Sequence, residues 1–386
     1  MKVTYVYIAI ILALTAFYGL PVAGEDTCGG NHDNCQTNAN AEEGSVHPDD
    51  EAADEPSDNI SQDLIFPGEV HFANMRQLTF SGENAEAYFS ADGTRLILQF
   101  HEGSDKCDQI YIMDIESGET NLVSTGGGVT TCSYFQYPND DKIIYASTHH
   151  YGMDCPPKPD QSLGYVWKLY EEFDIFRADP DGSNLEQLTD AWGYDAEGTY
   201  AEDGSKIIYT SLQSGDLEIW TMNPDGSDKT MLTDTLGYDG GAWFSHDGTK
   251  IVWRGFYPET EEEIADYTAL LAESVIRPMD LQIRVMNADG TNQVQVTDND
   301  AANFGPFWLP DDKRIIFASN FEAASHMDFN LWIVNEDGTG MERVTYYDGF
   351  DGFPMFSPDG TKFVFASNRV QEKPGDTNIF ICDWVE

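Results

Sequence analysis

A turn recurs six times along this chain, and its spacing constrains the fold more than any other feature. Ser90-Ala91-Asp92-Gly93, Pro138-Asn139-Asp140-Asp141, Glu202-Asp203-Gly204, Ser245-His246-Asp247-Gly248, Pro310-Asp311-Asp312 and Ser357-Pro358-Asp359-Gly360 lie roughly 44 to 64 residues apart. A period of that length marks a repeat architecture. Each turn separates an aromatic-rich stretch, such as Ala242-Trp243-Phe244, from a β-branched one, such as Lys250-Ile251-Val252-Trp253. Asp-Gly supplies the positive backbone dihedral that a tight hairpin needs. A second turn follows in most copies, at Pro180-Asp181-Gly182, Pro224-Asp225-Gly226, Ala288-Asp289-Gly290 and Glu336-Asp337-Gly338. Two hairpins per repeat make four short antiparallel strands, which is one propeller blade. The expected fold is all-β, a six-bladed β-propeller.

The ends of the repeat region predict how the ring closes. The stretch from His71 to Thr79 matches the fourth strands elsewhere, such as Asn184-Leu185-Glu186-Gln187-Leu188-Thr189, yet no blade precedes it. The last blade stops after a third strand at Asn378-Ile379-Phe380-Ile381-Cys382-Asp383-Trp384. Pairing the spare strand into the incomplete blade removes both exposed edges. The sequence thus divides into residues 1–24, 25–66 and a propeller over 67–386.

Residues 1–24 have a basic residue, an apolar run from Val3 to Leu20 and small residues near Ala23 and Gly24, the pattern of an export signal. An uncleaved anchor is the competing reading, because the run is nearly long enough to span a bilayer. Between Glu25 and Asp63 there are twelve acidic residues and no lysine or arginine, the composition of a disordered tether. The expected location is periplasmic or secreted. Export permits disulfides. Cys28 and Cys35 are close enough to close a small loop. Cys107, Cys132 and Cys155 are expected to approach one another with one pair bridged, and Cys382 to be a buried thiol.

The whole chain carries 68 acidic and 20 basic residues, a formal net charge of −48. Phosphate recognition needs a basic footprint, so nucleic acid and anionic membrane surfaces are excluded as partners. A cationic partner or divalent metal would be attracted, and the same charge also serves solubility.

Counting back eight residues from each turn aspartate gives Asn84, Cys132, Asp195, Asp239, Asn303 and Asp351. These are expected to ring one mouth of the channel, joined by Glu86 and Glu197 two residues further in. Oxygen ligands in a ring suit calcium, for which Asp195, Asp239 and Asp351 are the candidate metal ligands, or a lysine or arginine from a partner. The same side chains would alternatively cap their own inter-blade turns. His101, His149, His150 and His326 are candidate transition-metal ligands.

Insertions fall mainly between second and third strands, all on one face, which marks the binding side. In the second blade a proline-stiffened loop carries Trp167 and Tyr170. In the fourth, Thr260-Glu261-Glu262-Glu263 forms a capping box ahead of Ile264, Tyr267, Leu270, Leu271 and Val275 at helical spacing, before Pro278. Both insertions either pack on the propeller or contact a partner as a lid.

Phe-Ser-Pro-Asp-Gly at 356–360, Met-Asn-Pro-Asp-Gly-Ser at 222–227 and Gln-Leu-Thr at 187–189 together resemble the WD-like repeat of TolB-type β-propellers, over roughly residues 70–386. The resemblance implies a periplasmic or secreted propeller that binds other proteins through its faces and channel. TolB itself carries an additional N-terminal α/β domain, and the acidic tether stands in its place here. Similar repeats occur beside peptidases and in oligogalacturonate-lyase-type enzymes. No nucleophile, P-loop or zinc-protease motif is present in the sequence. The reading is a non-catalytic module that binds a protein or extracellular polymer through the loop-rich face and acidic channel mouth. The alternative is a polysaccharide lyase or hydrolase with a metal at the mouth and His101 or His149 as base.

Overall fold

The computed structural model describes residues 64–103 and 106–386. The expected export signal, the expected Cys28–Cys35 loop and the acidic segment up to residue 63 lie outside the described residues.

Six four-stranded antiparallel sheets succeed one another along the chain. Their innermost strands are Glu83–Phe89, Thr130–Phe135, Asp195–Tyr200, Tyr238–Phe244, Asn303–Trp308 and Asp351–Phe356. Blades 1 to 5 take all four strands from consecutive sequence. Blade 6 takes Asp351–Phe356, Lys362–Ser367 and Asn378–Trp384 from the C-terminus, and its fourth strand is Phe72–Gln77. Phe72 lies opposite Trp384 and Gln77 opposite Phe380, so the two ends of the ring share one sheet.

Each blade is a sheet sandwiched between two others, which explains the burial pattern. Second strands are buried along their central residues in every blade, and at every position in Ile143–Ser147 and Ile207–Ser211. Their central residues are therefore mostly apolar without alternation. The short fourth strands face solvent, as in Thr120–Leu122 and Thr230–Met231. Trp253, Trp308, Phe317 and Phe365 are among the largest fully buried side chains.

One latch repeats six times. The hydroxyl ending each fourth strand accepts a hydrogen bond from a third-strand amide: Ser124 from Ile110, Thr189 from Ile175, Thr233 from Ile219, Thr297 from Ile283, Thr345 from Leu331 and Thr79 from Ile379, at 2.8 to 3.0 Å. This is the physical role of the threonine in the Gln-Leu-Thr motif.

The two insertions meet each other. Trp167–Lys168 from blade 2 pairs with Val275–Ile276 from blade 4, a two-stranded sheet that bridges over blade 3. The helix forms with the expected capping box of Thr260 and Glu263, but it ends at Ala272. Val275 lies in the bridging strand, after Ser274 with φ of 53°. Tyr267 packs with Leu169, Leu212, Leu217 and Tyr238, and Leu270 with Val166 and Val275. A disulfide joins Cys107 to Cys155, tying the blade 2 insertion to blade 1, while Cys132 is free and Cys382 is a buried thiol.

Leu64 to Phe66, assigned to the tether by the sequence reading, pack on blade 6. Arg369 Nη1 donates to the Leu64 carbonyl at 2.8 Å, and the Phe66 ring lies 5.3 Å from that of Tyr347.

Candidate functional site

Every innermost strand carries a β-bulge at the same level. The register shifts at Ala85/Tyr88, Thr131/Tyr134, Ala196/Thr199, Gly240/Trp243, Phe304/Phe307 and Gly352/Met355. One residue in each bulge is left-handed: Glu86, Cys132, Glu197, Gly241, Gly305 and Phe353, with φ between 51° and 61°. A bulge re-aims its side chain, and these six residues line the central channel.

The channel is filled from both sides. Toward the turns, Tyr88, Tyr134, Trp243 and Phe307 form a plug with ring centroids 4.9 to 5.0 Å from Trp243. Toward the loops, the Arg254 guanidinium pairs with the Glu197 carboxylate. Glu197 also accepts from Thr210 Oγ1 at 2.7 Å and the Gly241 amide at 2.8 Å. Trp167 of the bridging sheet lies over Arg254, 5.3 Å from ring centroid to guanidinium carbon, and Tyr238 lies at 5.6 Å. A Cβ on Gly241 would come within 2.1 Å of Arg254 Nη1, so glycine there makes room for the guanidinium. A cavity of about 30 Å³ remains, lined by Glu86, Cys132, Ser133, Thr199 and Gly305 among others. Burial first, and the Glu197 charge second, push the Glu86 carboxyl up to about 7.

The expected Asp/Asn ring is placed elsewhere. Asn84, Asp195, Asp239, Asn303 and Asp351 are buried between blades and do not open on the channel mouth. Their amides donate to the preceding blade, at the carbonyls of Thr377, Phe173, Leu217, Leu281 and Phe329. Asn84 Nδ2 donates to the Ser81 and Thr377 carbonyls at 2.9 and 2.8 Å. Asp239 Oδ1 accepts from Trp253 Nε1 at 2.6 Å and from the Tyr257 hydroxyl at 3.0 Å. Ser319 Oγ donates to Asn303 Oδ1 at 2.7 Å. The backbone amides are inter-blade latches, while the side chains of Asp239, Asn303 and Asp351 bond other side chains and Asn84 bonds carbonyls, which differs from the capping of turn amides that the alternative supposed. The blade 2 equivalent is Thr130, whose amide donates to the Asp108 carbonyl. Cys132 emerged from the count because the blade 2 turn is one residue longer, with Phe135 opposite Ile143 where blade 1 has Phe89 opposite Leu96, and because Asp140 takes the left-handed turn position that Gly93 holds in blade 1. Glu86 and Glu197, named from sequence, do line the channel. Among the described residues no group of three or more His, Cys, Asp or Glu is placed to hold a metal ion, so Asp195, Asp239 and Asp351 do not converge as calcium ligands.

The histidines are dispersed in role. His101 is buried with Nδ1 2.8 Å from Asp108 and Nε2 3.4 Å from Glu83. Burial alone would lower its pKa, but the hydrogen bonds to Asp108 and Glu83 outweigh it and raise it to about 10. The two carboxylates favour its charged form, which does not suit the base that the lyase reading requires. The His149 ring packs 4.4 Å from Phe176, and burial lowers its pKa. Trp167 and Tyr170, expected to present a partner surface, are half-buried against the propeller. Trp167 Nε1 donates to the Tyr165 hydroxyl and Tyr170 donates to the Pro157 carbonyl.

The exposed apolar side chains lie elsewhere on the loop-rich face. Phe80, Tyr151, Met153, Trp192, Tyr346 and Val370 are in its loops, with Tyr151 and Trp192 both 67% exposed. Among the described residues, none of the turns between first and second strands, on the opposite face, carries an exposed large hydrophobic residue; that face has Leu185 beside the Pro180-Asp181-Gly182 turn, and Val70 and Val385 at the ring closure. Sequence reading named this face but not these residues, because no motif marks single apolar residues in loops. On the same face, an open depression of about 730 Å³ lies between blades 4 and 5, lined by Asp298, Asp300, Phe321, Glu322 and His326 among others.

Solved structures of similar fold include a putative TolB from Agrobacterium tumefaciens, with a TM-score of 0.53, 17% identity, and coverage of 79% of this chain and 91% of that one. This is the TolB-type propeller fold. TolB from Acinetobacter baumannii matches with a TM-score of 0.51 at 15% identity, over 69% of this chain and 55% of that one. A gluconolactonase from Xanthomonas campestris matches with a TM-score of 0.53 at 11% identity, over 82% and 91%. At such identities the likeness is one of fold, and the fold hosts unrelated activities. No family model matches the sequence, and no curated protein matches it.

Proposed function

We propose that this propeller is an exported, non-catalytic binding module whose loop-rich face docks a basic segment of a partner protein. The observation that carries the reading is the gathering of exposed Phe80, Tyr151, Met153, Trp192, Tyr346 and Val370 in the loops of one face. Apolar side chains gathered on one face and rimmed by polar residues suit an interaction surface. They are set among carboxylates, including Asp154, Glu172, Asp190, Asp234, Asp300 and Glu322. A lysine- or arginine-bearing segment with apolar residues matches both features, and charge of one sign steers such a partner from a distance. The channel mouth takes no part, because Arg254 already fills its acidic ring and Trp167 covers it. The Cys107–Cys155 disulfide supports an oxidising, exported location.

The test measures fluorescence anisotropy of a labelled lysine–leucine peptide against the mature protein. A glutamate–leucine peptide and polygalacturonate serve as counter-probes. The lysine–leucine peptide is expected to bind, more weakly as salt rises. The pair Tyr151→Ser and Trp192→Ser is expected to weaken binding about tenfold, or about 1.4 kcal/mol. The pair Met231→Ser and Val294→Ser, on outer strands, leaves it unchanged. Equal loss in both pairs contradicts the assignment of the face, and preference for polygalacturonate replaces the protein partner with a polymer.

A further inference from the structure

Of the two carboxylates in the channel ring, one is satisfied and one is not. Glu197 has Arg254, Thr210 and the Gly241 amide. Among the described residues, Glu86 accepts one hydrogen bond, from the Cys132 thiol at 3.7 Å. A thiol is a weak donor. Beside them Ser133, 1% exposed, lines the same cavity, and its hydroxyl has no hydrogen-bond partner there. Buried polar groups are nearly always paired, so a hydroxyl in that state points to an occupant that completes its hydrogen bonding.

The backbone supplies an independent argument. The ring accepts glycine at Gly241 and Gly305, yet Glu86, Cys132, Glu197 and Phe353 hold the left-handed conformation with side chains in place. Each such residue costs on the order of 1 kcal/mol, and strain of this kind gathers at ligand sites. At Glu197 the ion pair with Arg254 offsets that cost. Glu86 has no cation of its own.

We propose that the channel cavity binds a small primary ammonium group, as the free ion or the head of an alkylamine, with Glu86 as counter-ion and Ser133 Oγ as a hydrogen-bond acceptor. The volume of about 30 Å³ admits a group of water size. An ammonium head meets that limit and offers N–H donors to both oxygens, while a guanidinium or quaternary ammonium is too large. A divalent metal lacks a ligand set, since no group of three or more candidate side chains is assembled among the described residues. Tyr88 and Trp243 complete the wall with aromatic rings.

The groups facing Glu86 are Cys132, Glu197 and Arg254, with Asp108 contributing from farther off. The ammonium pairs with the carboxylate form, so binding strengthens as pH rises through about 7, where Glu86 titrates.

The experiment titrates the mature protein with methylammonium chloride, following amide shifts by NMR, with sodium chloride and tetramethylammonium chloride at matched ionic strength. Saturable shifts are expected at residues 84–88 and 131–134 with methylammonium alone, stronger at pH 8 than at pH 6. Glu86→Gln is expected to weaken binding at least tenfold. Ser133→Ala is expected to weaken it by a smaller factor and provides the reading should the first variant misfold. Equal shifts with sodium, or unchanged affinity in both variants, overturn the proposal. Neither outcome bears on the loop-face reading, which does not use the channel.

Discussion

Arg369 Nη2 lies 2.9 Å from Asp351 Oδ2, and neither side chain is more than 1% exposed. The same guanidinium reaches Glu69 at 3.1 Å and the Leu64 carbonyl at 2.8 Å, so one residue joins the start of the propeller to its last blade. Asp351 is therefore committed to closure and not offered to a ligand. Arg369→Met leaves two buried carboxylates without their cation, which costs about 3–5 kcal/mol. Urea unfolding is expected to show that loss, with the segment before residue 78 becoming protease-sensitive first. An unchanged midpoint contradicts the role.

Buried carboxyls set the pH dependence of stability. Burial is the first cause in each case: it raises Asp174 to about 6, Asp195, Asp239 and Glu86 to about 7, and Glu218 to about 8. The folded chain thus binds more protons than the unfolded chain between about pH 4.5 and 8, so stability falls as pH rises through this window. His101, raised to about 10, acts in the same direction: its contribution is full below its unfolded pKa and is lost as pH rises toward 10. A carboxyl that titrates one pH unit higher in the folded chain than in the unfolded chain changes stability by about 1.4 kcal/mol. Several such groups act together here, so a loss of at least about 2 kcal/mol is expected between pH 5 and 8 by urea titration. Stability that rises over this range contradicts the burial of these groups.

The Cys107–Cys155 bridge spans 48 residues and holds the blade 2 insertion against blade 1. Loop-closure entropy for that span gives about 4 kcal/mol as an upper figure. The double variant Cys107→Ser with Cys155→Ser is expected to melt earlier, and residues 149–160 to lose amide protection before the blades do. Identical melting of oxidised and reduced protein contradicts the assignment.

The repeat was legible because its turns are local chemistry: a tight reversal needs a residue at positive φ, supplied by the glycine of Asp-Gly in four copies and by Asp140 and Asp312 in the other two. The spare strand at Phe72–Gln77 was legible for the same reason. The function of the Asp/Asn positions was not, because sequence spacing places a residue at a strand start but does not say whether it faces the channel or the neighbouring blade. Glu86 and Glu197 were found by periodicity two residues further along. Arg254, which fills the ring, was missed, although an arginine inside the apolar run Ile251-Val252-Trp253-Arg254-Gly255-Phe256 is a signal in itself, since such a residue is rarely buried unpaired. The meeting of Trp167 with Ile276 across blade 3 joins residues over a hundred positions apart and has no local signature.

The central claim is that docking belongs to the loop-rich face. Hydrogen–deuterium exchange of the mature protein, with and without the lysine–leucine peptide, tests it most directly. Protection is expected at 148–154, 190–194, 234–237 and 345–348, and not at the turns 90–94, 245–249 and 357–361. Protection centred on those turns, or none at saturating peptide, contradicts it.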